Sequence, residues 1–375
     1  MSPLIRKGKV FFCLVVALFL SAGLPWSGWA AQWEEIVAAA KKEGKVVSSI
    51  PASAKLRKQL EKAFEDRFPG IDLETVSGRG SKAVRRIADE IKAGVHYFDA
   101  HIGGTSSMLT GLVKKKIAEP IEHYMVLPEV KDPKNWWGGH IYADSSKRFA
   151  YSFTAYLSKN FWYNADKVNP KDLRSFNDLL DPKWKGQIGF YDPRRPGAGS
   201  STWSFMMGIK GEKFLKDLLA QDIQVTRNRR ALAESLAKGK LAITIGLTYY
   251  FFRPFVESGL PVKPLPTFKE GTYASGGSGT LGIPKSPPHS NAAKVFVNWL
   301  LGKEGQEVWT KAMGQPTRRL DVDTAWTEKI GYVAAKEALT VEQYFKLENQ
   351  SERKILEVRL PGRKLAKKLL RKKKK

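Results

Sequence analysis

From Lys45 onward, short apolar runs alternate with amphipathic segments at a spacing that suits a largely parallel sheet with helices on both faces. The periodicity predicts a strand over Lys45 to Ile50, a helix over Ser53 to Phe68, a strand over Ile71 to Val76 and a helix over Ser81 to Lys92. Pro69-Gly70 ends the first of these helices. A helix over Trp33 to Lys42 precedes the series, and a strand near Phe98 to Ile102 and a helix over about Ser106 to Lys115 extend it. The fold class is therefore α/β.

About 345 residues remain beyond the N-terminal segment, which is more than one small core requires and suits two lobes. Pro, Trp and Gly crowd residues 132–146, and new strands are predicted at Phe149 to Phe153 and Phe161 to Tyr163, so a crossing between lobes is placed there. Helices at Phe176 to Leu180, Gly211 to Ala220 and Arg230 to Lys238 and a strand at Leu241 to Gly246 then build the second lobe. Gly276, Gly277 and Gly279 lead into a strand at Thr280 to Ile283, and Asn291 to Leu301 is an amphipathic helix. A chain that leaves one lobe and returns to it makes a hinge. The expected division is residues 1–30 as a signal peptide, 31–145 and 273–322 as lobe 1, 146–272 as lobe 2, 323–362 as helices packing on lobe 2, and 363–375 as a basic tail.

Arg6, Lys7 and Lys9 precede an apolar run from Val10 to about Leu24, and Gly28-Trp29-Ala30 offers a small-residue cleavage site before Ala31. This predicts export, and the run is short of the ~20 residues that a spanning helix needs. The single cysteine, Cys13, lies inside the run, so the mature chain has no thiol for a disulfide, thiol catalysis or cysteine–metal site. The formal charge of +26 favours anionic partners. Nine of the basic residues lie between Arg363 and Lys375, so much of the surplus sits in the tail. Pro361-Gly362 is expected to break the chain there, leaving a solvated extension or a segment lying on anionic lipid. A nucleic-acid partner is not expected for an exported chain.

A glycine and serine loop follows the strand expected at Gln187 to Tyr191. Gly197, Ala198 and Gly199 allow a tight turn, and Ser200, Ser201 and Thr202 open a helix, a combination suited to an anion or polar ligand. The bland alternative is an ordinary capped helix. No Gly-Lys-Ser/Thr follows, so the loop is not a nucleotide P-loop. The pattern Gly78-x-Gly80-x-x-Ala83 with Asp99 imitates a dinucleotide fingerprint but follows the second strand. Five histidines without i, i+4 pairing give no catalytic zinc motif.

Three segments together resemble the extracellular solute-binding proteins of ABC importers, within the group that includes the bacterial ferric-ion-binding proteins. They are the run from Leu179 to Ile188 with its Trp184-Lys185-Gly186 core, the stretch from Gly239 through Tyr249-Tyr250, and the run from Asn291 to Gln306 with its Gly302-Lys303-Glu304-Gly305-Gln306 end. The resemblance implies a two-lobed periplasmic-binding-protein fold of type 2 that closes on one small ligand and presents it to a membrane permease. It implies a monomeric periplasmic protein with no catalytic residues and no resident cofactor, with Fe(3+) entering only as cargo.

By the same resemblance Tyr249 and Tyr250 fall on the tyrosine pair that ferric-binding members use, Tyr156 on a further phenol, and Arg229 near a contact to a bound anion. The departure lies in the remaining iron ligands. Ser49 stands where relatives place a histidine after the first strand, and no acid follows the strand near Asp99. Neighbouring tyrosines on a strand also point to opposite faces, and packed aromatics are the plain alternative for this pair. Gly80 and Ser81 open one helix, and Thr105 and Ser106 open another, so the positions around the expected cleft favour a small organic or phosphate-like anion. Ferric iron held by the tyrosine pair is the alternative ligand. A secreted hydrolase is the alternative class, with no Gly-x-Ser-x-Gly elbow or HExxH to carry it.

Overall fold

A computed structural model describes residues 26–372, so the expected signal peptide lies almost wholly outside the described residues. Its expected last residues open a helix, Trp26–Glu43, that starts earlier than the predicted Trp33. Among the described residues no helix is long and apolar enough to cross a membrane.

The first sheet contains β1 (Lys45–Pro51), β2 (Asp72–Gly78), β3 (Ala100–Gly103), β4 (Ala118–Glu119) and β13 (Thr280–Pro284) in the order β2-β1-β3-β13-β4, with β5 (Tyr151–Ser152) also on β13. β1 runs parallel to β2 and β3, whereas the returning β13 is antiparallel to β3. Six of the seven β1 residues are buried because helices cover both faces. The helix Ala54–Arg67, capped by Ser53 Oγ accepting from Leu56 N at 3.2 Å, turns Leu56, Leu60 and Phe64 inward at helical spacing. Phe64 meets Phe296 and Trp299 edge-on at 5.7 and 5.4 Å, which seats the returning helix Ser290–Leu301 on the same core.

The second sheet, in the order β11-β7-β10-β8-β9, contains β7 (Phe161–Asn164), β8 (Ile188–Tyr191), β9 (Gln224–Thr226), β10 (Ile243–Ile245) and β11 (Val262–Pro264). Its core includes Phe176, Phe190, Trp203 and Leu215. The helix Ala198–Ala220 is interrupted at Gly211, whose φ of 76° suits glycine, so the sequence pattern is legible only from that point.

Between the lobes lies a small sheet, β12-β6-β14, made of β6 (Tyr156–Ser158), β12 (Ala274–Ser275) and β14 (Tyr332–Ala334). The crossing segments are bonded to one another: Phe153 N donates to Gly279 O at 2.9 Å, and Thr154 Oγ1 donates to Gly276 O at 2.5 Å. A Cβ on Gly279 would lie 2.1 Å from Thr154 Oγ1, so only glycine permits this approach. The strand expected over Phe149 to Phe153 is corrected in its partner. β5 is the short piece Tyr151–Ser152, and it pairs with β13 in the first lobe, so the crossing follows Ser152.

Arg318 braces this crossing. It is fully buried, donates to Ser152 O, Trp137 O and Gly139 O at 2.5 to 2.7 Å, and lies over the rings of Trp136 and Tyr151.

The expected break at Pro361-Gly362 is also corrected. A helix, Leu360–Lys372, runs straight through it. The wide π turn Ile355–Arg359 directly before it leaves room for the proline ring, and Pro361 sits in the first turn, where its missing N–H costs little. Ala366, Leu369 and Leu370 are buried in the core of the second lobe, so this segment is part of the fold and not a solvated tail. Ile355 packs with Val47, Phe98 and Met108 of the first lobe, so the C-terminal segment spans both lobes, where it was expected to pack on lobe 2 alone.

Replacing Leu369 and Leu370 with alanine together is expected to lower unfolding free energy by about 2 kcal/mol or more, as for other core truncations. Urea titration reads this, and an unchanged midpoint would mean that the helix end is detached.

His101 gives a pH test. It is buried in β3 with Nδ1 3.2 Å from Ser49 Oγ and Nε2 without a partner, and burial lowers its pKa to about 4. Above the usual value of about 6.5 both folded and unfolded chains hold it neutral. As pH falls, the unfolded chain takes up a proton that the folded chain refuses until about 4, so stability drops across that window. His101→Gln should flatten the stability profile between pH 6.5 and 4, and an unaltered slope would contradict the assignment.

Candidate functional site

A single cleft between the lobes gathers residues from every crossing segment and encloses about 1070 Å³ of non-atom space, open solvent at its mouth included. Its lining includes Arg79, Arg195, Arg227, Arg229 and Arg359, and among the described residues no aspartate, glutamate, histidine or lysine.

Among the described residues five helices begin at this cleft: Gly80–Lys92, Thr105–Met108, Ala198–Ala220, Arg229–Ala237 and Tyr249–Glu257. Four of them have no side-chain cap on the first turn, while Asn228 caps the helix Arg229–Ala237. First-turn N–H groups and the positive ends of the longer helices are thus left facing the same space as the arginines.

Arg229 is held between two rings, with its guanidinium carbon 4.9 Å from the centroids of both Tyr191 and Phe251. Its Nε donates to Tyr191 Oη at 2.8 Å, and no carboxylate among the described residues pairs with it. The stacking fixes the plane of the fork. Arg79, just before the helix Gly80–Lys92, reaches across from the first lobe and donates to Arg227 O in the second at 3.4 Å. Arg195 follows Arg194, which is spent on Asp192 in a two-pronged bond at 2.8 and 2.9 Å.

Of the residues expected from sequence, Gly80, Ser81, Thr105, Ser106, Tyr156, Ser201, Arg229 and Tyr250 line the cleft. Ser106 Oγ is buried there without a partner. The other four do not line it. Ser49 is turned into the first sheet toward His101. Gly199 and Ser200 lie one layer behind: a Cβ on Gly199 would come 2.0 Å from Tyr191 O, and Ser200 Oγ donates to Gly197 O at 2.9 Å. Ser201 Oγ bonds to the same carbonyl at 3.2 Å, so the serine hydroxyls mainly tie the loop together while its backbone faces the cleft.

Tyr249 is the larger correction. The pair opens the helix Tyr249–Glu257, where consecutive residues point about 100° apart. Tyr250 faces the cleft, but Tyr249 is buried behind it, stacked 6.1 Å from Trp162 and under Arg253. The two phenols therefore do not converge on one ion. Burial pushes the Tyr250 hydroxyl above its usual range while Arg229 pulls the other way, and burial holds the Tyr156 hydroxyl well up. At neutral pH both are phenols able to donate to an anion. Among the described residues no group of three or more His, Cys, Asp or Glu could hold a metal.

Sequence reasoning did not place Arg79, Arg195, Arg227 and Arg359 or the amides of Gln315 and Gln350 in the site. They come from loops without local motif, and Gln350 and Arg359 come from the C-terminal segment.

Comparison with known proteins agrees with this geometry. Residues 47–307 match the family model described as bacterial extracellular solute-binding protein. An uncharacterized protein of Haemophilus influenzae is 24% identical over 315 residues, covering 81% of this chain and 83% of that one. Iron-bound HitA from Pseudomonas aeruginosa superposes with a TM-score of 0.63 at 19% identity, over 87% of this chain and 99% of that one. AfuA from Actinobacillus pleuropneumoniae, with fructose-6-phosphate bound, superposes with a TM-score of 0.61 at 21% identity, over 87% of this chain and 97% of that one. These similarities establish the two-lobed fold, and the family match spans most of the chain: the protein belongs to the bacterial extracellular solute-binding proteins, the capture components of ABC importers.

Proposed function

We propose that the chain captures a small organic anion, bearing phosphate or carboxylate, between its lobes in the periplasm and delivers it to its permease as a monomer after removal of the signal peptide. The observation that carries this reading is the charge of the cleft: five arginines and four uncapped helix starts, with no carboxylate lining it. Guanidinium forks and free N–H groups suit phosphate and carboxylate oxygens. A bare cation would meet that field as repulsion. The bound sugar phosphate of the AfuA structure, at similar overall fold, supports the same class of solute.

A second reading keeps iron as cargo, bound together with an anion. Tyr250 and Tyr156 supply hard oxygens in the cleft, and a Synechocystis relative, 24% identical over 255 residues, is named iron uptake protein A2. Here the anion would have to bring most of the ligands, since Tyr249 is in the core. A hydrolase reading lacks a carboxylate, imidazole or thiol in the cleft to move a proton, and no turnover is expected. The amphipathic C-terminal helix has its apolar stripe buried in the fold, which argues against a lipid contact through that stripe.

Calorimetry with inorganic phosphate, citrate and fructose 6-phosphate, each with and without ferric ion, tests the reading. Binding of a metal-free anion is expected, and Arg229→Ala should weaken it by about 1.5 to 3 kcal/mol, the scale of a charged hydrogen bond. Binding that appears only with ferric ion would favour the second reading. Affinity unchanged in the variant would remove Arg229 from the site.

A further inference from the structure

The C-terminal segment beyond the family match contains a buried charge that the fold leaves unanswered. Arg359 ends the π turn between the two lobe contacts, is 3% exposed and lines the cleft. Its bonds are all at the outer limit: to Asn349 O, Gln350 Oε1 and Gly197 O, each at 3.5 Å. Its Nε has no partner. Glu348, whose charge acts on it from farther off, is engaged by Gln350 N, Ser351 N and Ser351 Oγ and forms no ion pair with it. A second buried guanidinium, Arg363, lies close enough to oppose its charge.

Arg318 shows what a structural arginine looks like in the same protein. Equally buried, it makes four bonds of 2.5 to 2.7 Å to three carbonyls and lies over two rings. Burying a guanidinium without such partners is strongly unfavourable unless an anion completes the set. Another buried group of the same cleft lacks a partner: Asn160, 2% exposed, leaves its Oδ1 unbonded, whereas Gln350 is fixed toward Ser275 Oγ at 2.8 Å.

Resting on the anion reading above, we infer that Arg359 is a ligand-binding residue: the C-terminal segment closes the floor of the cleft with a guanidinium that receives one anionic group of the solute. Arg229 and Arg359 stand on separate elements, one on a helix of the second lobe and one on the segment joining both lobes. A solute bridging them ties the C-terminal segment into the closed state.

The test uses the full mature chain with inorganic phosphate, citrate and fructose 6-phosphate as probes, comparing wild type, Arg359→Met, Arg359→Lys and Arg229→Ala by calorimetry and thermal melting. For Arg359→Met the expected result is a ligand-free melting temperature equal to or above wild type, with affinity for the binding probe reduced at least tenfold and the probe-induced rise in melting temperature lost. Arg359→Lys keeps the charge without the fork, so it should fold and still bind at least tenfold more weakly. A lowered ligand-free melting temperature with unchanged affinity would make Arg359 a structural residue and overturn the inference. So would full affinity in Arg359→Lys if Arg359→Met fails to fold. Loss of binding in Arg229→Ala with full binding in both Arg359 variants would overturn this inference and leave the anion reading standing, whereas wild type binding none of the metal-free probes would overturn both.

Discussion

Five guanidinium groups line one cleft with no carboxylate among the described residues beside them, and under the proposed function a bound anion relieves the repulsion between them. Arg229 is clamped between Tyr191 and Phe251, Arg79 spends a bond on a carbonyl of the opposite lobe, and Arg359 is sunk into the C-terminal segment with only long contacts. Surplus positive field in a walled cleft attracts small anions and strengthens each bond they form. Under the proposed function the same field favours closure over an occupied cleft rather than an empty one.

The hinge makes that coupling mechanical. Three stretches of chain pass between the lobes near Ser152, Gly277 and Gln315, and they are bonded side by side: Ser278 N donates to Gln315 Oε1 at 3.0 Å, and Thr154 pairs with Thr317 in an isolated bridge. Arg318 holds the first-lobe end of this joint through backbone carbonyls. Tyr156, Gly277 and Gln315 belong to the joint and also line the cleft, so the joint and the candidate site share residues. The C-terminal segment is a further tie, with Ile355 in one lobe core and Leu369 in the other.

Much of this was legible in the sequence where a period or a turn residue carried it. The alternation from Lys45 to Lys92 has the two periods that define strand and helix, and it reappears as β1, the helix Ala54–Arg67, β2 and the helix Gly80–Lys92. Tyr250 was found through its neighbour, but the sequence could not separate it from Tyr249 until the pair was known to open a helix. The C-terminal helix was misread because a proline and nine charges outweighed a real signal: Leu365, Ala366, Leu369 and Leu370 recur at helical spacing, and the π turn that admits Pro361 has no sequence mark. Arg359 carried no signal at all, since what singles it out is the lack of partners in space.

The most direct test of the account is native mass spectrometry with elemental analysis on protein purified from its own periplasm without chelators. The account predicts a one-to-one complex with a small organic anion, colourless and free of stoichiometric iron. A protein that carries one iron with a visible tyrosinate band and no accompanying anion would contradict it.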